Sequence, residues 1–297
     1  MRLSRDVCPR LPLPIPLLLA AALAPSPGAA ADPGADDAAA LLERGTYLVT
    51  SIVACGNCHT PQGPEGPLPG LELAGMENFF ETPDFLVHSP NITQDPETGI
   101  GAWSDAEIAT AIREGRRPDG TIIGPPMPIV QYRNLSDRDV AAIVAYLRTV
   151  PPVRREIPAS DYRIPLPPAY GPPVVTVAEV PADDPLARGA YLAGPAGHCV
   201  ECHSPMGENG APDIEHRLGA GGFEFPGPWG LSVSPDITPT GLADYTDDEL
   251  RRMITQGVRP DGSAMLPPMP FAYYARMTPE DLDAVILYLR SLPPSAG

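Results

Sequence analysis

Residues 55–59 read Cys-Gly-Asn-Cys-His, and residues 199–203 read Cys-Val-Glu-Cys-His. In both stretches two cysteines stand three positions apart and a histidine follows the second cysteine. Residues three apart lie on one face of a helical turn, so the two thiols of each motif point in the same direction. The two motifs use four of the five cysteines of the chain, and the fifth, Cys8, lies close to the N-terminus.

The two motifs belong to a longer repeat, because the segments around them also occur twice. The shared segments are Gly-x-Tyr-Leu at 45–48 and 189–192, Ser-Pro-Asn/Asp-Ile-Thr at 89–93 and 234–238, Arg-Pro-Asp-Gly at 117–120 and 259–262, and Pro-Pro-Met-Pro at 125–128 and 267–270. The nearly constant separation indicates a tandem duplication, with a period far longer than that of solenoid repeats. We therefore predict two domains, residues 38–152 and residues 186–294.

The C-x-x-C-H pattern is typical of covalent haem attachment. Two thiols at this spacing can add to the two vinyl groups of one haem, and the adjacent histidine then reaches the iron. The sequence predicts two covalently bound haem c groups. The predicted attachment and ligand residues are Cys55, Cys58 and His59 in the first copy, and Cys199, Cys202 and His203 in the second.

Three other uses of paired cysteines fit the pattern less well. The cysteine pairs of a zinc site usually lie about 15–20 residues apart, and a thioredoxin-like redox motif needs a βαβ context. The two pairs of this chain lie far apart in sequence, and no βαβ pattern surrounds them. A disulfide within either motif would be strained.

The duplication also selects the second axial ligand of each iron. Met127 and Met269 occupy the same position of the two Pro-Pro-Met-Pro segments, whereas no other methionine or histidine outside the two motifs has a counterpart of its own type. The flanking prolines stiffen the chain and hold the thioether in place. We predict that Met127 and Met269 bind the iron, which raises the reduction potential relative to two histidines.

The helix signals of the sequence predict an all-α fold. In each domain a few helices and long loops would wrap around one haem. Six helices are predicted, over residues 38–53, 104–114, 136–150, 186–196, 246–256 and 278–292. Hydroxyl residues followed three positions later by an acid mark several of their starts. Residues 61–91 and 204–235 are rich in Gly and Pro and are predicted to be loops.

Two segments lie outside the predicted domains. Residues 1–31 combine arginines, an apolar run and a final Ala-Ala-Ala, which predicts a signal peptide and a periplasmic location, and no other stretch predicts a membrane span. Residues 153–185 are rich in proline, and this composition fits either a solvated linker or an ordered strap across the domains.

Composition narrows the class of partner. The chain has 37 acidic and 20 basic residues, all of the latter arginine, and its net charge is −17. This charge disfavours nucleic acid, whose binding rests on basic patches. It predicts a partner protein with a basic docking patch, unless the charge serves solubility alone. Arg117 and Arg259 either pair with a haem propionate or stabilise their own turns.

The order of these segments resembles that of class I cytochromes c. A helix precedes C-x-x-C-H, long loops lead to a helix ending in Arg-Pro-Asp-Gly, and Pro-Met-Pro precedes a last helix ending in Tyr-Leu-Arg. The segments at 91–93, 99–104 and 117–120 are similar to those of tandem cytochrome c subunits of bacterial periplasmic dehydrogenases. The resemblance covers both copies, and it implies one-electron transfer at an exposed haem edge.

These observations predict an electron carrier that accepts electrons from a dehydrogenase and passes them to an oxidase or another cytochrome. A dihaem redox enzyme of the peroxidase or thiosulfate-oxidising type is the alternative. Such an enzyme needs an open or displaceable position on iron and a nearby acid, base or thiolate. The two matched methionines weigh against it, but a structural role within a larger complex stays open.

Overall fold

The computed structural model describes residues 33–64, 66–207, 210–227 and 229–295. The predicted signal peptide, residues 1–31, lies outside the described residues. Within these ranges, none of the helices has both the length and the apolar character needed to cross a bilayer.

Ten α-helices and one π-helix lie in the described part of the chain. They are α1 (Pro33–Thr50), α2 (Cys55–His59), α3 (Asp105–Glu114), α4 (Ile129–Tyr132), α5 (Asp137–Leu147), α6 (Pro185–Tyr191), the π-helix (Leu192–Ala196), α7 (Cys199–Cys202), α8 (Asp247–Gln256), α9 (Phe271–Tyr274) and α10 (Pro279–Ser291). All six predicted helices are present, and the predicted helix over 186–196 is divided between α6 and the π-helix. The four short helices α2, α4, α7 and α9 were not predicted, because four or five residues are too few to show a helical period.

Side-chain caps explain why the longer helices begin where the sequence predicts. The hydroxyl of Ser104 accepts a hydrogen bond from the backbone N–H of Glu107, and the Glu107 carboxylate accepts one from the backbone N–H of Ser104 at 2.7 Å. Thr246 and Glu249 form the same capping box at the start of α8. These bonds satisfy N–H groups that have no partner within the helix.

The prediction of an all-α fold is not confirmed in full, because the predicted loops contain short antiparallel strands. The strands are β1 (Gln62–Gly63) with β2 (Gly66–Pro67), β3 (Met76–Glu81) with β4 (Phe85–Ser89), β4 with β5 (Asp161–Tyr162), and β6 (Glu224–Gly227) with β7 (Gly230–Val233). Strands of two to six residues among glycines and prolines show no readable alternation of apolar and polar residues. Pairing gives their backbone N–H and C=O groups the partners that an isolated loop lacks.

We call the two repeats the first half, with helices α1 to α5, and the second half, with helices α6 to α10. In each half the core forms where the first long helix packs against the last one. Helix α1 packs against α5, and α6 packs against α10. A Cβ atom added at Gly45 would lie 1.9 Å from the carbonyl oxygen of Ala142, and one added at Gly189 would lie 1.9 Å from that of Ala284. The glycine of the repeated Gly-x-Tyr-Leu segment therefore permits two helix backbones to touch.

We expect the substitution Gly45→Ala to lower the free energy of unfolding by about 2–3 kcal/mol, because the new methyl group must push α1 away from α5. Gly194→Ala is the matched control, since a Cβ at Gly194 meets no atom within 4 Å. Denaturant unfolding followed by circular dichroism measures both variants. Equal stability of the two variants would contradict the close helix crossing.

Residues 153–185 form an ordered strap across the first half, and we call this segment the strap. Its backbone begins at Val153, whose N–H donates to the Thr93 hydroxyl at 3.1 Å. Farther along, β5 adds to the edge of β4, and Asp137 donates its backbone N–H to the carbonyl of Val177 at 3.0 Å. The sequence left open a solvated linker and an ordered strap across both domains, and these contacts place the segment on the first half.

The two halves are joined by a contact that occurs twice, and we call each copy a clamp. Each clamp is centred on an aspartate, which is the third residue of the last helix of its half. The carboxylate of this aspartate pairs with an arginine of the same half. It also accepts a hydrogen bond from the hydroxyl of a tyrosine in the other half. The tyrosine hydroxyl lies 2.6 Å from the carboxylate in the first clamp and 2.5 Å in the second. The first clamp consists of Asp139, Arg44 and Tyr191, and the second of Asp281, Arg188 and Tyr47.

Candidate functional site

Each C-x-x-C-H motif lies on a single helical turn, α2 in the first half and α7 in the second. The residue before each turn has left-handed backbone, with φ of 51° at Ala54 and 40° at His198. This conformation is costly for a residue with a side chain, and it redirects the chain between the preceding helix and the motif. The four motif cysteines are partly buried and form no disulfides. A left-handed residue stands directly before the motif in both halves, which indicates that the two turns have the same role.

The two motif histidines are held in the orientation that a metal ligand needs. The Nδ1 atom of His59 lies 2.8 Å from the carbonyl oxygen of Pro90, and that of His203 lies 2.8 Å from the carbonyl oxygen of Pro235. Burial lowers the pKa of both imidazoles, which favours the neutral ring. A neutral ring that donates from Nδ1 to a carbonyl presents the lone pair of Nε2 to iron.

The two proline carbonyls are the functional groups that the sequence analysis missed. Pro90 and Pro235 are the second residues of the repeated Ser-Pro-Asn/Asp-Ile-Thr segment. The repetition was visible in the sequence, but a backbone carbonyl leaves no trace of its own in a residue pattern. Its partner could be assigned only once the fold placed the segment beside the histidine.

The environment of the cysteines disfavours a redox-active thiol pair. Burial raises the pKa of Cys55 and Cys58 to about 12 and that of Cys199 to about 11. Reactive cysteines of C-x-x-C redox motifs have a lowered pKa, since the thiolate is the reacting form. Among the described residues, no group of three or more His, Cys, Asp or Glu side chains is arranged to hold a metal ion. The raised pKa values of the thiols therefore do not favour the redox pair.

In the second half, the predicted residues line one mostly apolar cavity of about 240 Å³. Cys199, His203 and Met269 all face it, together with Ile52 from the first half. Apolar walls suit a porphyrin, whose burial supplies core that the chain's own side chains do not fill. Three further methionines also line the cavity, namely Met253, Met265 and Met277. The cavity therefore brings Met269 to the site but does not by itself select it among the methionines.

The two Pro-Pro-Met-Pro segments have the same local structure. The carbonyl of Met127 accepts a hydrogen bond from Ile129 at 2.8 Å, and that of Met269 accepts one from Phe271 at 3.0 Å. Both methionines are partly buried against the core. The assignment of these two sulfurs as axial ligands stays a proposal, supported by the matched loops.

The two Arg-Pro-Asp-Gly arginines stabilise their own turns. The Nη1 atom of Arg117 donates to the carbonyl of Ile122 at 3.1 Å, and that of Arg259 donates to the carbonyl of Ala264 at 2.9 Å. Of the two roles that the sequence left open, this geometry favours the structural one.

The comparison with protein families gives the decisive observation, because the model for cytochrome c matches residues 42–151 and again residues 186–293. The chain belongs to the cytochrome c family. This cytochrome c contains two such domains and carries two covalently bound haem c groups. Its function is electron transfer, since a bound haem supplies an iron that cycles between the ferric and ferrous states.

Several relatives of this cytochrome c are components of dehydrogenases. One of the subunits of the nicotinate dehydrogenase of Pseudomonas putida is 34% identical over 267 residues, which cover 86% of this chain and 21% of that protein. The cytochrome c subunit of the quinone-dependent alcohol dehydrogenase of Gluconobacter oxydans is 32% identical, over 91% of this chain and 58% of that subunit. A dihaem c-type cytochrome of Cereibacter sphaeroides is 31% identical, over 80% and 82% of the two chains. The matched part of this chain thus spans about a fifth of the nicotinate dehydrogenase subunit and about three fifths of the alcohol dehydrogenase subunit.

The first haem motif of this cytochrome c contacts the second half of the chain. The pKa of Cys202 is raised by burial and also by its neighbours, among them Cys58 of the other half. Asn57, within the first motif, donates from Nδ2 to the carbonyl of Pro268 at 3.4 Å. The first motif therefore contacts the residue next to Met269, across the interface that the two clamps hold.

Proposed function

We propose that this dihaem cytochrome c is exported to the periplasm, accepts electrons from a dehydrogenase and passes them to a respiratory acceptor. The observation that carries the proposal is the position of two histidine-bearing haem motifs on either side of a clamped interface. The names of the relatives support a dehydrogenase as the donor. The apolar run at residues 11–24 supports export.

Each residue of the site has a part in this proposal. The cysteines retain the cofactor covalently, so it is not lost when the protein dissociates from a partner. His59 and His203, oriented by their proline carbonyls, would bind the iron of their haem, and Met127 and Met269 would supply its second protein ligand. A haem bound in each half would supply an iron that takes up and gives up one electron.

We expect electron transfer to a basic partner to slow about tenfold as salt rises from 0.01 to 0.15 M, because the screening length falls from ~30 to ~8 Å. The net charge of −17 attracts a basic surface over the longer distance. Stopped-flow oxidation by a basic and by an acidic surrogate redox protein, at several salt concentrations, measures this effect. A small neutral oxidant is the control and should show no salt dependence.

Three outcomes would contradict parts of the proposal. A rate with the basic surrogate that does not change with salt would leave solubility as the role of the charge. Failure of both surrogates to oxidise the reduced protein would contradict the role as a carrier. Turnover of hydrogen peroxide well above that of free haem would favour the enzyme alternative instead.

A further inference from the structure

The duplication allows the surroundings of the two matched methionines to be compared within one chain. We call residues 115–128 the first methionine loop and residues 257–270 the second. Both loops are closed by the same backbone hydrogen bond, 2.7 Å long in each, from the N–H of the ninth residue to the carbonyl of the first. A difference between the two methionine sites therefore comes from the residues that pack on the loops.

Two tyrosines of the strap bond to the first methionine loop. The hydroxyl of Tyr162 donates to the carbonyl of Pro125 at 2.9 Å, and that of Tyr170 donates to the carbonyl of Ile123 at 2.8 Å. Pro125 stands two residues before Met127. The strap therefore holds the stretch of backbone from which the thioether of Met127 projects.

Gly124 permits this close approach of the strap. A Cβ atom added at Gly124 would lie 2.5 Å from the Tyr162 ring and 2.8 Å from a methyl carbon of Leu166. Any side chain at this position must therefore displace the strap. The second loop has Leu266 at the equivalent position, so a segment packed as the strap is cannot seat there.

The second methionine loop is held by weaker contacts. The carbonyls of Met265 and Pro267 stand at the positions that the strap tyrosines bind in the first loop. In the parts of the chain that the structure describes, no hydroxyl donates to either carbonyl. The amide of Asn57 reaches the carbonyl of Pro268 at 3.4 Å, which is long for an N–H···O hydrogen bond. The surroundings therefore restrain the first loop more than the second.

We propose that Tyr162 and Tyr170 are positioning residues of the first haem site, which keep the thioether of Met127 on the iron, while Met269 yields first to an external ligand. This inference rests on the proposed function, in which the two methionines bind iron. A methionine leaves the iron when its loop moves, so each bond that opposes the movement weakens the binding of a competing ligand. Two hydrogen bonds of ordinary net strength correspond to roughly tenfold in affinity.

The test measures the displacement of each methionine by imidazole, a small neutral ligand of ferric haem. Met269→His and Met127→His provide two backgrounds, because each leaves the methionine–iron charge-transfer band of one haem. We expect the first haem, measured in Met269→His, to need about tenfold more imidazole than the second haem, measured in Met127→His. Tyr162→Phe combined with Tyr170→Phe should remove this difference, since both rings stay and both hydroxyls are lost.

Ser160→Ala is the matched control within the strap. The Ser160 hydroxyl accepts a hydrogen bond from the backbone N–H of His88 at 3.0 Å and donates one to its carbonyl at 3.2 Å, away from the methionine loop. This variant should retain the imidazole affinity of the first haem. Gly124→Leu is a second, independent test, because it gives the first loop the residue of the second and displaces the Tyr162 ring. It should have the same effect as the double tyrosine variant.

The outcomes separate the positioning role from the function. Equal imidazole affinities of the two haems, or an unchanged affinity of the first haem in the double tyrosine variant, would contradict the positioning role and leave the carrier function standing. The same loss in Ser160→Ala would show that the tyrosine hydroxyls are not responsible. Retention of the full band in both Met127→His and Met269→His would overturn the positioning role together with the ligand assignment. If the reduced protein, with both haems attached, passes no electrons to ferricyanide, the proposed function fails.

Discussion

Replacing Met127 or Met269 with histidine is expected to remove about half of the methionine–iron charge-transfer absorbance of the oxidised protein. The same change should lower the potential of that haem by on the order of 100 mV, because imidazole stabilises ferric iron more than a thioether does. Each variant should leave the other haem unchanged, since the two loops have separate local structures. Visible spectroscopy and a redox titration of each single variant measure the two effects.

Met265→Leu is the control for these substitutions. Met265 lines the same cavity as Met269 but has Ile123 as its counterpart in the first half. It should retain the full absorbance. Loss of the band in Met265→Leu and its retention in Met269→His would assign the ligand to the unmatched methionine. Retention of the full band in both Met127→His and Met269→His would mean that neither methionine binds iron.

The substitution Asp281→Asn is expected to lower the free energy of unfolding by about 3 kcal/mol and to split one unfolding transition into two. The Asp281 carboxylate is fully buried, and its loss leaves the charge of Arg188 with a neutral partner. The interdomain bond from Tyr47 weakens at the same time. Thermal and denaturant unfolding, followed by circular dichroism and by haem absorbance, report both quantities.

Asp283→Asn is the matched control, because Asp283 pairs with Arg251 on the exposed side of the same helix. Its effect should stay below about 0.5 kcal/mol. A single transition in Asp281→Asn, at the stability of the Asp283→Asn variant, would contradict the clamp.

The clamp also predicts a loss of stability in alkali. Burial and the bond to Asp281 raise the pKa of Tyr47 from its ordinary value of 10.0 to about 12. The pKa of Tyr47 is higher in the folded than in the unfolded protein. The contribution of the Tyr47–Asp281 hydrogen bond to stability is therefore complete below pH 10, and it is lost as the pH rises towards 12. Tyr47→Phe should remove that part of the pH dependence.

The sequence predicted those features that residue type and spacing determine. The two motifs, the six long helices and their caps depend on local patterns, which the duplication allowed us to read twice. Tyr47 and Tyr191 lay within a repeated segment, yet their aspartate partners are distant in sequence and became visible only in the fold. The hairpins and the path of the strap were not predictable, since Gly- and Pro-rich stretches owe their conformation to the surface on which they pack.

The reciprocal clamps have a consequence for the order in which the molecule is completed. During synthesis the first half emerges before Tyr191 exists, so the carboxylate of Asp139 then lacks the hydroxyl that the second half supplies. Each half therefore contributes a tyrosine hydroxyl to the finished structure of the other. A fragment ending before residue 186 should be a less stable, protease-sensitive molecule, although it contains a whole haem-binding unit. The clamps in this way make the stability of each half depend on the presence of the other.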